Sequence, residues 1–203
     1  MAFLLDSFEG WKLYCDEHKM SLSEVVLEYE QTQKGSSETE IKNGLMAAWE
    51  VMKSAVNTGL MEDMTSRSGM INNGAKKVYN YSTPVLSKEF QNLIARALAA
   101  KEVNSCMGRI VAAPTAGASG IMPGVLYTLQ EIHHIEDEKI IEAMLIAAGI
   151  ALIMEQKASI SGAVGGCQAE TGTAAAMGSG AIVYCLGGTT NQLFSAVAIT
   201  VQC

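Results

Sequence analysis

The chain has 203 residues, which suits one large domain over 1–203. Apolar residues make up 49% and charged residues only 17%, so a sizeable core is available and global disorder is excluded. The net charge is −7 and no basic patch or arginine-rich run is present, which argues against nucleic-acid binding.

In chain order, residues 4–17 read as a short amphipathic helix with Leu4, Leu5, Phe8, Trp11 and Leu13 on its apolar side. Ser21-Leu22-Ser23-Glu24 is a capping box, and a helix over 22–33 follows it. Gly35-Ser36-Ser37 is a break. Ser37 opens a long helix over about 38–63, with Ile41, Leu45, Ala48, Val51, Met52 and Val56 at helical spacing. Its acidic first turn, Glu38 and Glu40, suits the helix dipole. Residues 66–77 carry two glycines, two asparagines and three cations, and read as turns. A helix over 88–107 leads into Val111–Gly124, a loop punctuated by glycine and proline. Helices over 124–134 and 137–157 come next, the second acidic at its start and then fully apolar, as a buried central helix is. Residues 158–170 read as a second small-residue loop, before helices over 171–186 and 190–203. The expected fold is all-α. It is a helical bundle around the 137–157 helix, with the loops 114–120 and 159–170 converging at one end to form the site.

Charge is unevenly spread: 25 of the 35 charged residues fall in 1–102, and Glu170 alone is charged from Ala158 to Cys203. That third of the chain reads as interior or interface. A membrane span needs about 20 consecutive apolar residues. The run Ala143–Met154 has 12, and glycines and the polar stretch 189–192 break the region after Glu170. The N-terminus meets an acid at Asp6, so it is no signal peptide. Five cysteines, an odd number without a CxxC pair, argue against a disulfide framework or a zinc knuckle. A reduced, cytoplasmic chain is expected. The 26 alanines and 12 methionines favour helices, and the methionines are spaced as core filler.

Two segments carry chemistry. Pro114-Thr115-Ala116-Gly117-Ala118-Ser119-Gly120 runs into a helix, where exposed N–H groups and the Thr115 and Ser119 hydroxyls suit a carboxylate or phosphate. It has no GK[ST] ending and no preceding strand, so it is no P-loop, and a plain inter-helix turn is the bland alternative. The second segment holds Ser159, Ser161, Gly162, Gly165, Gly166, Cys167, Gln168 and Glu170. Cys167 there is a candidate nucleophile or metal ligand, or simply a small buried cysteine. A Cys–His pair would need His18, His133 or His134. Lys76-Lys77 would suit a carboxylate or a Schiff base, against the plainer reading as a solvated turn.

The two loops together, PTAGASGIMPGVL at 114–126 and SISGAVGGCQAETG at 159–172, resemble the signatures of the iron–sulfur L-serine dehydratase alpha chain. Ser68–Lys77 resembles that family's glycine-rich N-terminal loop. Glu102-Val103-Asn104 and Met107–Val111 resemble its approach to the PT-x-G loop. The resemblance implies a lyase that takes L-serine to pyruvate and ammonia through a [4Fe–4S] cluster, without pyridoxal phosphate. Three cysteines would hold the cluster, and its open iron would act as a Lewis acid on the serine hydroxyl. Carried over, Cys167 is the first cluster ligand. Thr115, Ala116, Gly117, Ala118, Ser119 and Gly120 become the substrate-carboxylate cradle, and Ser159, Ser161 and Gly162 line the same pocket. No general base is implied.

The other two ligands belong to a C-D-P…P-C segment that would fall beyond residue 203, and Cys185 and Cys203 do not match it. The chain is therefore expected to be cut short before that segment. Cys167 is expected to be accessible, with no cluster on these residues alone. The resemblance further implies a beta-chain partner and a hetero- or homo-oligomer, with neither nucleic acid nor membrane involved. Two other readings stay open here: a cysteine desulfhydrase of the same chemistry, and a catalytically silent helical module that binds a partner chain.

Overall fold

A computed structural model describes residues 5–203. Among them the protein is all-α: nine α-helices, one 3₁₀ turn and a lone antiparallel bridge between Thr65 and Asn72. The helices are α1 (Phe8–His18), α2 (Leu22–Lys34), α3 (Glu38–Met61), α4 (Gly74–Asn80), α5 (Lys88–Ser105), α6 (Ile121–His133), α7 (Asp137–Lys157), α8 (Gly162–Cys185) and α9 (Thr190–Gln202). No helix among the described residues is long and apolar enough to cross a membrane.

Caps set many of the boundaries. The Ser21–Glu24 box closes in both directions, the Glu24 N–H donating to Ser21 Oγ at 3.3 Å and the Ser21 N–H to Glu24 Oε2 at 2.6 Å. Ser37 with Glu40 and Thr189 with Gln192 repeat the device on α3 and α9. The Ser37 bonds hold the exposed Glu40 carboxyl below its ordinary range. Four boundaries differ from the periodic reading. The first helix begins at Phe8, because the Ser7 hydroxyl caps the Gly10 N–H; Leu4 lies outside the described residues, and Leu13 is 61% exposed. Part of the turn-rich stretch is helical, as α4. Helix α6 starts at Ile121, since Pro123 is tolerated in a first turn. The second small-residue segment is helical from Gly162 onward.

Ten residues of α7 are buried, among them Ile140, Ile146 and Ile150, with α2, α3 and α8 packed around it. A large apolar cluster joins these to Trp11, Val25, Val26, Trp49, Met122 and Leu126. A smaller, alanine-rich cluster joins α3, α4 and α5 through Val56, Leu60, Ala75, Ala95, Ala99 and Val103. Small side chains let α5 run close to its neighbours. Buried Arg96 then fastens α5 to α6, pairing with Glu131 at 2.6 Å, donating to Thr128 Oγ1 at 3.0 Å and lying over the Tyr127 ring. The uncharged C-terminal third divides: α8 buries Ala174, Ala176, Met177 and Ala181, whereas Ile199 and Val201 of α9 are exposed.

Asp137 at the start of α7 ties three helices. Its Oδ1 accepts from Gln130 Nε2 at 2.8 Å and from Trp49 Nε1 at 3.2 Å. The Gln130 bond, aided by Trp49, holds its carboxyl below the ordinary aspartate range. A lowered folded-state pKa means that the ionised form's contribution is complete above the unfolded value. It is lost as pH falls through the folded one. Asp137→Ala should cost about 1–3 kcal/mol at pH 7. In urea titrations the gap to the parent protein should narrow by pH 3; an equal gap at both pH values would contradict this role.

Candidate functional site

The segment from Met107 to Gly120 crosses from α5 to α6. It contains a cis Ala113–Pro114 bond and the 3₁₀ turn Ala116–Ala118. Thr115 precedes that turn in extended conformation, and its Oγ1 is buried with no hydrogen-bond partner. Ser119 follows it; the residue is 1% exposed, and its Oγ also has no partner. Buried hydroxyls are ordinarily satisfied, so two unsatisfied ones within five residues single out this loop. Ala118 and Gly120 are buried, Gly117 is half-buried and Ala116 is exposed.

The loop is held from below by one turn of α5. Lys101 Nζ donates to the Gly117 carbonyl at 2.6 Å, and Asn104 Nδ2 donates to the Ala116 carbonyl at 2.9 Å. Between them Glu102, itself buried, turns to the other side. Its Oε1 accepts the N–H groups of Gly74 and Ala75, at 2.8 and 3.2 Å, so it seats the start of α4. Its Oε2 is buried without a partner. Asn73, in left-handed conformation, closes the preceding loop by accepting the Met64 N–H on its side chain at 2.6 Å. The turn 101–104 thus anchors two glycine-containing loops at once.

Helix α8 contributes from the opposite side. Gly166, at φ 76° and ψ −179°, breaks it, and helical conformation resumes at Cys167. Only glycine takes this conformation without strain. In an unbroken helix eight residues span about 12 Å. The break instead lets Glu170 reach back to Gly162: a Cβ there would stand 2.7 Å from the Glu170 carboxyl carbon. A Cβ on Gly117 would overlap the same carboxylate. Both small-residue segments therefore meet at Glu170, half-buried and without a hydrogen bond or ion pair among the described residues. Two hollows flank the junction. One, about 340 Å³, is lined by Pro114 and Ile160, one from each segment, with Met122 and Met177. The other, about 330 Å³, lies along α5 and is lined by Leu93, Ala97, Lys101, Gly117 and Thr171.

The remaining sequence candidates separate clearly. Ser161 stands half-buried at the head of α8, whereas Ser159 is exposed and its hydroxyl accepts the Ser161 N–H at 3.2 Å. Cys167 is exposed, as expected, while Cys15 and Cys185 are buried with thiols pushed up to about 11 by desolvation. His18 stacks on Tyr14, and His133 and His134 border a separate hollow beside Cys185. No histidine is placed with Cys167 in these contacts. Lys76 is occupied by Asp63 and the Met61 carbonyl, and Lys77 by the Asn72 carbonyl. Among the described residues no three His, Cys, Asp or Glu side chains converge as a metal site. A cluster held by three cysteines does not fit this donor set, in which Cys167 is the one cysteine of the two small-residue segments and no further His, Cys, Asp or Glu completes a group of three with it. Composition missed Lys101, Glu102 and Asn104, because their partners lie 12 to 28 residues away. Glu170 carried a signal, being the one charge in the last 46 residues.

What these features define is a helical domain with two small-residue segments gathered on one unpaired carboxylate. The family described as serine dehydratase alpha chain matches residues 17–203, and the chain belongs to it. It is 36% identical over 190 residues to the L-serine dehydratase alpha chain of Peptoniphilus asaccharolyticus, covering 92% of this chain and 65% of that one. It is 35% identical to the probable L-serine dehydratase alpha chain of Bacillus subtilis, covering 92% and 63%. With the L-serine dehydratase of Streptomyces coelicolor the identity is 34%, over 92% of this chain and 42% of the other. The chain thus spans less than two thirds of the length of these relatives.

Replacing Glu102 by Ala strands two N–H groups at the start of α4, at a cost of about 1–3 kcal/mol. Amide hydrogen exchange at Gly74 and Ala75 should accelerate in the variant well beyond that of α7 amides. Unchanged protection at both positions would remove Glu102 as the anchor.

Proposed function

We propose that the chain acts as the alpha subunit of an L-serine dehydratase, converting L-serine to pyruvate and ammonia. The observation that carries this reading is the pair of unsatisfied buried hydroxyls, Thr115 Oγ1 and Ser119 Oγ, in a loop of the matching family segment. A substrate carboxylate accepts from both hydroxyls, with the turn around Gly117 held in place by Lys101 and Asn104. Ser159, Ser161 and Gly162 are assigned to the same pocket, a reading supported by Gly162 and Gly117 both lying against the Glu170 carboxylate. Elimination removes the Cα proton and the β-hydroxyl as water. The aminoacrylate left behind tautomerises and takes up water, giving pyruvate and ammonia, so the atoms of serine balance those of the products.

Cys167 is the thiolate this stretch offers to a [4Fe–4S] cluster, and the further ligands have to come from outside the described residues. A beta chain is the proposed partner, in keeping with the alpha-chain names of two relatives. Five unpaired cysteines suit a reducing, cytoplasmic setting.

The test is anaerobic assay of the complete enzyme, assembled with its beta chain, for pyruvate from L-serine. Ser119→Ala should lower kcat/KM by about 10–100-fold, the worth of one hydrogen bond to a charged group, without loss of helical circular dichroism. Full activity in that variant would refute the cradle. Sulfide from L-cysteine with no pyruvate from L-serine would refute the substrate.

A further inference from the structure

The Glu170 carboxylate occupies a position that packing alone does not require. It is the only charge between Ala158 and Cys203, it is half-buried, and it forms no hydrogen bond or ion pair among the described residues. Three backbone features make room for it. Gly117 and Gly162 both lack the Cβ that would collide with it, and the break at Gly166 folds the first turn of α8 back beside it. Lys101 donates to the Gly117 carbonyl and forms no ion pair with Glu170 among the described residues. A carboxylate withdrawn partly from water without a partner is costly, and a bound cation or donor relieves that cost. The independent observation lies in the adjoining loop. Ser119 is almost fully buried, with an unpaired hydroxyl two residues from Gly117, and Thr115 has another two residues before it. Two unpaired hydroxyls thus stand within two residues of Gly117, the residue against which the unpaired Glu170 carboxylate lies.

We propose that Glu170 binds the α-ammonium group of an amino-acid substrate whose carboxylate is held at Thr115 and Ser119. The assignment rests on the substrate reading above and deepens it: the site selects α-amino acids over hydroxy acids of the same skeleton. Glu170 contacts the substrate nitrogen and takes no proton from Cα in this scheme. The ammonium fills the carboxylate's vacant acceptor capacity, and the two charges neutralise each other in a partly dry pocket.

Calorimetric titration of the complete enzyme, assembled with its beta chain and kept free of its cluster so that no turnover occurs, with L-serine and with 3-hydroxypropanoate tests this, since the second ligand keeps the carboxylate and hydroxyl but lacks the ammonium. The parent protein should bind L-serine more tightly. Glu170→Gln should weaken L-serine by about 10–100-fold while moving 3-hydroxypropanoate by less than about twofold. The unchanged ligand also certifies that the variant is folded. Equal L-serine affinity in parent and Glu170→Gln overturns the Glu170 assignment and leaves the cradle standing. Equal loss of both ligands shows a collapsed loop and likewise overturns it. A parent protein that binds neither ligand overturns the cradle itself, and Glu170 with it.

Discussion

Lys101, Glu102 and Asn104 occupy one turn of α5, and the placement of the candidate site depends on that turn. Lys101 and Asn104 take the carbonyls of Gly117 and Ala116, while Glu102 takes the N–H groups of Gly74 and Ala75 on the other side. Helices present successive side chains about 100° apart, so neighbouring residues of one turn can serve opposite neighbours. Two of the four bonds come from a buried carboxylate and one from an ammonium, and such charge-assisted bonds are stronger than neutral ones.

Small residues make this economy possible and also constrain it. Gly124 of α6 sits so close to α5 that a Cβ there would stand 2.8 Å from the Ala97 methyl. That contact sets the loop directly over α5, within reach of Lys101 and Asn104. The same absence of side chains at Gly117 and Gly162 opens a place for Glu170. A site assembled in this way has polar atoms delivered by a few long side chains and by backbone, inside otherwise apolar walls. That composition is usual for pockets that hold small polar ligands.

Much of the fold was legible because its signals are local. Ser21 and Glu24 are three residues apart, and their capping box follows from the sequence alone. The fully apolar run of α7 likewise announced burial, and ten of its residues are buried. Leu13 misled because an apolar residue at helical spacing need not face the core, and here the α1 face that packs carries Trp11 and Cys15 instead. Residues 162–170 read as a loop because three glycines lower helix propensity, yet the segment is helical on either side of Gly166 and packs against the Ala116–Ala118 turn. The 114–120 loop was recognised from its hydroxyls and glycines. Its anchors were not assigned that role, since Lys101 meets Gly117 across 16 residues and Asn104 meets Ala116 across 12, and no periodicity records those pairings.

The two small-residue segments, gathered by the 101–104 turn, are proposed to form one amino-acid site. A crystal structure of the protein with L-serine bound tests it most directly. The substrate carboxylate is expected within hydrogen-bond distance of Thr115 and Ser119, and the ammonium within the same distance of Glu170. Serine bound elsewhere, with both hydroxyls still unsatisfied and the two segments apart, would contradict it.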